Sequence, residues 1–294
     1  MKKKESFLQK TLIFIGFAGP AVLCFVLVMA IPFLYGIYLT LTSWNGISAD
    51  KIFVGLENYK AIFQDIQFWH SLLLTILYSA LSVIFINLLA FALAYLVTSG
   101  IHGQNFFRAG FFTPNLIGGL VLGYIWQFVF SRAMVSLGKG LDIGFLSSSW
   151  LSDPTKALVA LIIVSVWQYS GFMMLIYIAG LMSVPKELVE AGAIDGCGKG
   201  QTLRYVILPQ MRSSFVICFF LSITRCFMAY DLNLSLTDGG PFGSTEMAAM
   251  HVYQKAFVSK DYGVGQTEAV VLFLICAAVS LIQAYIGKRN EVDA

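Results

Sequence analysis

Two stretches of this chain hold residue types at spacings that could do chemistry. The first reads SVPKELVEAGAIDGCGKGQTLRYVILPQM from Ser183 to Met211. Within it Glu190 and Asp195 bracket three small residues, Ala191, Gly192 and Ala193. Small side chains let a second backbone approach closely, and the two carboxylates offer acceptors at the ends of that patch. This is the chemistry of docking. The run from Gly196 to Gln201 could pass for a phosphate-binding loop, but Lys199 is followed by Gly200 and not by the Ser or Thr such a loop needs. No ATP site is therefore expected in this chain. The second stretch is split between Trp167, Gln168, Tyr169 and Phe172 and, further on, Arg225, Tyr230, Asp231 and Asn233. Flat aromatics beside hydrogen-bonding groups can hold a ligand that is apolar on its faces and polar at its edges.

The elements that must position these groups are legible in the pattern. Ser183 and Pro185 read as a helix start, with Glu187 and Glu190 in the early turns where the helix dipole favours acids. Leu188, Ala191 and Ile194 recur at helical spacing until Asp195-Gly196, where glycine accepts left-handed backbone. A second helical pattern through Leu203, Val206 and Ile207 ends at Leu208-Pro209. The spacing predicts helix, tight turn, helix, lying at a membrane surface.

Composition explains why a membrane enters. Of 294 residues, 58% are hydrophobic and 12% charged, against roughly 25% charged in a soluble domain. A globule so poor in charge would expose large apolar patches, which argues against a soluble enzyme. The apolar residues fall in runs over about 11–42, 70–97, 106–131, 156–183, 213–234 and 268–287. Each can cross roughly 30 Å of hydrocarbon as a helix and is too continuous for a barrel strand. The expected fold is all-α and integral to the membrane, with six transmembrane helices. Pro20, Pro32 and Pro114 lie within spans and can kink them. Gly119 and Gly123 form a GxxxG, which predicts close helix packing.

Six spans place both termini on one side. One alternate set of segments, beginning with Lys2, Lys3, Lys4 and Lys10, holds eleven Lys and Arg, and the other set holds seven. The positive-inside rule then puts both termini in the cytoplasm. The expected organisation is a cytoplasmic segment 1–10, a transmembrane domain 11–287 with a cytoplasmic loop 184–212, and a cytoplasmic tail 288–294. The outer loops, about 43–69, 132–155 and 235–267, have room for short helices and for a docked partner. The basic and then apolar N-terminus reads as a retained first span, because no small-residue cleavage site follows before Trp44.

Several classes drop out. A net charge of +3 gives no ground for a nucleic-acid partner. The five cysteines show no CxxC, and His70, His102 and His251 are dispersed, so neither a disulfide framework nor a metal site is expected. Asp231 reads as a lone carboxylate in the spans, which argues against a proton or sodium relay, and no Ser-His or paired-Asp constellation suggests an intramembrane enzyme. Arg225 lies within a span, where lipid exposure costs roughly 3 kcal/mol or more. On one continuous helix Asp231 would point about 120° away from it. Arg225 must then find an acceptor elsewhere: another helix, a backbone carbonyl, a partner or a substrate.

Glu190-Ala191-Gly192, Asp195-Gly196 and Ile207-Leu208-Pro209 resemble the EAA loop of ABC importer permeases, whose pattern runs E-A-A-x-x-x-G and later I-x-L-P. Gly192 replaces the second alanine, Cys197 stands where alanine is common, and Leu203 where phenylalanine is frequent. Other segments resemble the sugar-importer branch, the maltose, multiple-sugar and glycerol-phosphate permeases. Gly55-Leu56-Glu57-Asn58-Tyr59 is similar to its GL-[DE]-NY element, and Phe106 to Gly119 to its FR-x-x-x-F-x-P stretch. Trp167-Gln168, Leu181 to Pro185, and Leu236-Thr237-Asp238-Gly239-Gly240-Pro241 (LT-x-GGP) continue the likeness in order along the chain.

The resemblance implies a type I ABC importer permease fold in a bacterial-type cytoplasmic membrane, with a coupling helix that sits in a groove of the ATP-hydrolysing subunit. Glu190, Ala191, Gly192, Asp195, Gly196, Leu203, Ile207, Leu208 and Pro209 would carry that coupling. It further implies two ATPase subunits holding ATP and magnesium, no cofactor on this chain, an extracytoplasmic solute-binding protein, and a second homologous permease. The LT-x-GGP element implies a heterodimer, with a homodimer as the alternative. The implied substrate is a sugar, an oligosaccharide, with Trp167, Gln168, Tyr169, Phe172, Arg225, Tyr230, Asp231 and Asn233 as pathway candidates.

Overall fold

The computed structural model describes residues 7–289, with side chains at residue 14 and from residue 16 onward. Lys2, Lys3 and Lys4, which weigh in the orientation, and tail residues 290–294 lie outside the described residues. Among the described residues the regular structure is helical, apart from one isolated antiparallel bridge between Thr42 and Phe53. Five helices are long and apolar enough to span a membrane: Gly16–Leu39, Ile66–Thr98, Gly119–Gly140, Pro154–Ser183 and Tyr262–Arg289. The fifth expected span, 213–234, falls on a bent pair, Lys199–Gln210 and Arg212–Phe227, meeting at 70°.

Two expected runs are broken. The run 106–131 is not one helix: Gln104–Phe112 ends in a tight turn at Thr113–Leu116, Ile117 and Gly118 are extended, and the spanning helix starts at Gly119. Pro114 removes a backbone donor at the break, and the conformational freedom of Gly118-Gly119 weakens the helix there. The run 213–234 is also interrupted. Arg212–Phe227 has 16 residues, and a separate helix Asp231–Leu236 follows Met228, Ala229 and Tyr230. At about 1.5 Å per residue the first piece reaches only about 24 Å.

The chain divides into two compact units. One comprises residues up to Asp65 together with Val252–Val270. Here Pro32 follows a π turn at Val26–Ala30, the wide turn that lets a helix continue through irregular bonding. Asn58, from the Gly55–Tyr59 element, is buried and donates to the carbonyls of Thr40 at 2.8 Å and Thr42 at 2.9 Å. It closes the end of the first helix, where carbonyls otherwise lack partners. The short helix Glu57–Gln64 that carries it lies in the first predicted outer loop.

The other unit comprises Ile66–His251 and the residues from Val271 on. Its core is where Ile66–Thr98, Pro154–Ser183 and Arg212–Phe227 pack, with Tyr78, Ile86, Leu161, Met173, Tyr177 and Cys218 buried among them. Lipid tails are as apolar as these side chains, so close packing and interhelical hydrogen bonds hold such helices together. The sequence supplies both. A β-carbon at Gly171 would collide with the Phe111 carbonyl, and one at Gly123 with Ser235. The GxxxG thus packs against the Asp231–Leu236 helix, as its spacing predicts.

Candidate functional site

The loop 184–212, the coupling candidate, is built from local signals. Its first helix is Lys186–Ile194, with Pro185 at the N-cap. Ser183 does not start it; that residue ends the preceding helix, its hydroxyl donating to the Gly180 carbonyl at 2.8 Å. At the other end Gly196 adopts φ +84°, and the Cys197 amide donates to the Gly192 carbonyl at 2.9 Å. That left-handed closure is what the Asp195-Gly196 pair predicts. The Gly198 amide then donates to Gln201 Oε1 at 2.8 Å and opens the second helix. Lys199–Gln210 holds a π turn at Leu203–Ile207 and gives way at Met211 to the 70° bend.

The exposed face of the loop differs from the expected small-residue patch. Gly192 is buried, and a β-carbon there would lie 3.4 Å from Val206 Cγ2 of the second helix. Its smallness serves packing within the loop and leaves a neighbour's surface untouched. Glu190, Ala191, Ala193, Asp195 and Gly196 are exposed, Ile194 is 86% exposed and Tyr205 66% exposed. Leu203, Ile207, Leu208 and Pro209 are half-buried, and Ile207 packs on the main core. The second half of the motif therefore anchors the loop, and the first half presents a surface.

The second candidate group gathers at the break before Gly119. Arg225, in the last turn of Arg212–Phe227, donates from Nη1 to Asn115 Oδ1 at 2.7 Å. Its guanidinium lies 4.6 Å from the ring centre of Phe172 and 5.2 Å from that of Tyr169. Of the acceptors open to Arg225, the one found is on another segment. Gln168 is buried and reaches the same break, its Nε2 donating to the Ile117 carbonyl at 3.1 Å. Its Oε1 is buried without a partner. Two polar side chains from two helices thus pin one irregular turn.

Of the other candidates, Asp231 packs beside Gly119, at the edge of the same break. Trp167 is 41% exposed and meets Trp126 edge to face at 5.5 Å. Tyr230 and Asp231 begin a helix of their own, so the angle expected on one continuous helix does not apply; Asp231 is exposed and Tyr230 half-buried. Asn233 is fully buried, and its amide is committed: Nδ2 donates to the Thr245 carbonyl at 2.8 Å and Thr237 Oγ1 at 3.0 Å, while Oδ1 accepts from the Met247 amide at 3.1 Å. It fastens the LT-x-GGP loop and, fully buried, presents no surface to a ligand.

Three features escaped the sequence reading. Asn115 holds Arg225, and its only signal was an amide inside an apolar run. Asn87 links three helices: Tyr177 Oη donates to its Oδ1 at 2.7 Å and its Nδ2 donates to Ser222 Oγ at 2.9 Å. Glu268 is a second carboxylate in a spanning helix, fully buried, so Asp231 is not the lone one.

Known proteins share this architecture. Residues 86–292 match the family described as binding-protein-dependent transport system inner membrane component. A probable starch degradation products transport system permease protein of Thermoanaerobacterium thermosulfurigenes is 39% identical over 293 residues, covering 100% of both chains. A multiple sugar-binding transport system permease protein of Streptococcus mutans is 34% identical over 261 residues, covering 89% of this chain and 90% of that one. A solved bacterial ABC transporter involved in the import of the acidic polysaccharide alginate shares the fold, with a TM-score of 0.81 at 15% identity over 96% of this chain and 97% of the other. With the family matched over most of its length and an all-α type I importer fold in common, this chain belongs to the binding-protein-dependent inner membrane components, the permeases of ABC importers.

Proposed function

We propose that this chain forms half of the translocation pathway of an ATP-driven importer of oligosaccharides, of the kind released from starch. The relatives named for starch degradation products and for multiple sugars support the substrate class. Loop 184–212 lies on the cytoplasmic side with both termini, and seats on an ATPase subunit. The observation that carries this is the loop itself: a closed helix-turn-helix with Gly192 turned in and Glu190, Ala191, Ala193, Ile194 and Asp195 turned out. An exposed isoleucine between carboxylates suits insertion into a groove of another protein.

Two ATPase subunits bind and hydrolyse ATP with magnesium, a second, homologous permease completes a heterodimer, and an extracytoplasmic binding protein delivers the sugar. ATP binding closes the ATPase grooves around the coupling helices. The loop's second helix, Lys199–Gln210, runs into the Arg212–Phe227 helix through the 70° bend at Met211, and in this reading a displacement of the loop is passed along that connection to the helix that carries Arg225. Each ligand shifts the inward-facing and outward-facing states by its difference in affinity for the two. Trp167, Tyr169, Phe172 and Arg225 supply aromatic faces and donors for a sugar ring, with Gln168, Tyr230 and Asp231 near the same break.

Purification through a tag on this chain, with crosslinking at the half-buried Cys197, tests the assembly. Recovery of an ATPase, a second permease and a solute-binding protein, with binding-protein-stimulated ATP hydrolysis in proteoliposomes, is the expected result. Recovery of the chain alone, or sugar uptake that persists without ATP, overturns the reading.

A further inference from the structure

The helix Arg212–Phe227 and the C-terminal part of Tyr262–Arg289 run antiparallel and touch at Val216. Gln283 Nε2 donates to the Val216 carbonyl at 3.4 Å, and a β-carbon on Gly287 would collide with the Val216 side chain. Beside that contact lies an open groove of about 590 Å³, walled by Phe215 and Phe219 from one helix and by Val279, Ile282 and Ile286 from the other. Arg212, the first residue of its helix, also lines it. Lys288 and Arg289 occupy the last turn of the facing helix, after Gly287, so three basic residues stand at one end of an apolar trough. All three are exposed. Arg212–Phe227 contains no acid, and the one acid of Tyr262–Arg289, Glu268, lies 20 residues before Lys288.

The groove is about one leaflet deep. From Val279 to Gly287 the helix rises about 12 Å, against about 15 Å for half of a hydrocarbon core that is about 30 Å thick. A second membrane helix would seek contact over a longer stretch, and at small residues that let backbones approach. Here the walls are bulky, and the one glycine among them is already taken by Val216. An acyl chain fits such a trough. The basic rim fits the phosphate at the head of that chain, since a guanidinium can fork a phosphate with two N–H groups. Basic pockets between membrane helices are where anionic headgroups settle. We infer that this groove binds a phospholipid of net negative charge, with one acyl chain between the two helices and the headgroup on Arg212, Lys288 and Arg289. Arg212 directly follows the bend at Met211, so the headgroup sits at the joint between loop 184–212 and the spanning helix. Such a site needs no particular cargo and no particular orientation of the loop.

The test uses the full chain, purified through a tag in whatever complex it forms and placed in bilayer discs of phosphatidylcholine. Phosphatidylglycerol or phosphatidylcholine with a photoreactive diazirine in one acyl chain is added in equal amounts, and labelled peptides are read by mass spectrometry. In wild type, residues 212–219 and 279–287 should be labelled at least about fivefold more by phosphatidylglycerol, since each basic residue near a bilayer surface attracts anionic lipid by roughly that factor. Arg212→Gln combined with Lys288→Gln and Arg289→Gln should bring the two lipids level. Ile282→Trp fills the groove and should remove labelling of these residues by both. Equal labelling by the two lipids in wild type overturns the site, and is the result expected if Glu291 and Asp293, outside the described residues, neutralise the rim. Absence of label, together with a crosslink from Ile282→Cys to a second polypeptide, shows a protein interface and overturns it equally. If the triple variant fails to assemble, the wild-type comparison and Ile282→Trp decide.

Discussion

Gly192 and Val206 face one another across the two helices of loop 184–212, with room for one methyl group: a β-carbon on Gly192 would sit 3.4 Å from Val206 Cγ2. That contact is ordinary van der Waals distance, so the site tolerates a methyl and nothing longer. It separates two roles that the EAA-like pattern merges, since the inner residue sets the loop's shape and the outer ones its surface.

Gly192→Ala should therefore fold normally, the gain in helix propensity of about 1 kcal/mol offsetting a snug contact. Gly192→Glu should open the loop by driving a carboxylate at Val206, and limited proteolysis should cut between residues 195 and 202. Ile194→Asp should leave the loop resistant to protease yet lower sugar uptake at least tenfold. A protease-resistant Gly192→Glu protein would show that the glycine does not face inward.

Gly171 is a harder limit. A β-carbon there meets the backbone of Phe111 and Phe112, which cannot swing aside as a side chain can. Gly171→Ala must push the Gln104–Phe112 helix off the Pro154–Ser183 helix, at a cost of about 1–3 kcal/mol or more. Thermal unfolding in detergent should show a clear drop in Tm. Gly110→Ala, with nothing within 4 Å of the new carbon, should not lower Tm and should raise it slightly through helix propensity.

The spans and the helix-turn-helix of loop 184–212 are readable because their signals are local. Asp195-Gly196 stops a helix wherever it occurs, and a long apolar run reports immersion in lipid. The same run does not report continuity. Hydropathy across 106–131 is high on both sides of Pro114-Asn115, so the pattern predicts one helix where the chain turns at Thr113–Leu116. The break at Met228, Ala229 and Tyr230 carries neither proline nor glycine, and it comes from tertiary packing that no local pattern records. Asn233 illustrates the converse. Its type and position suited a ligand, but the loop that consumes its amide folds back from residues 237 to 247.

Lys255 gives a pH-dependent prediction outside the spans. Its Nζ donates to Asp65 Oδ2 at 3.0 Å. Burial alone would lower its pKa, but the hydrogen bond and charge of Asp65, with Glu268 and Asp261, raise it above the usual 10.5. A raised folded-state value means the pair stabilises fully below 10.5 and loses that contribution as pH rises through the folded value. The pair is partly exposed, so its worth is about 1 kcal/mol or less. The Tm difference between wild type and Lys255→Met should be flat between about pH 6 and about pH 9 and shrink in stronger alkali. A difference that widens there would contradict the assignment.

Asn87 and Tyr177 should couple measurably. The pair is buried where three helices meet, Tyr177 Oη donating to Asn87 Oδ1 at 2.7 Å while Asn87 Nδ2 donates to Ser222 Oγ and to the Val83 carbonyl. Removing Asn87 as Asn87→Leu strands the tyrosine hydroxyl in the core, which costs about 1–3 kcal/mol for an unsatisfied group. Tyr177→Phe removes that hydroxyl and leaves the amide oxygen unmet. The double variant strands neither, so it should be less unstable than the sum of the two. Interhelical hydrogen bonds in membranes give coupling energies averaging about 0.6 kcal/mol, with a ceiling near 1.7. Phe91 and Phe215 pack on the Tyr177 ring and persist in every variant, which keeps the cycle confined to the hydroxyl. Unfolding in detergent should therefore give a favourable coupling of roughly 0.5–1.7 kcal/mol. Strict additivity would mean that each group finds a new partner when the other is lost, and that the three helices are held together by shape alone.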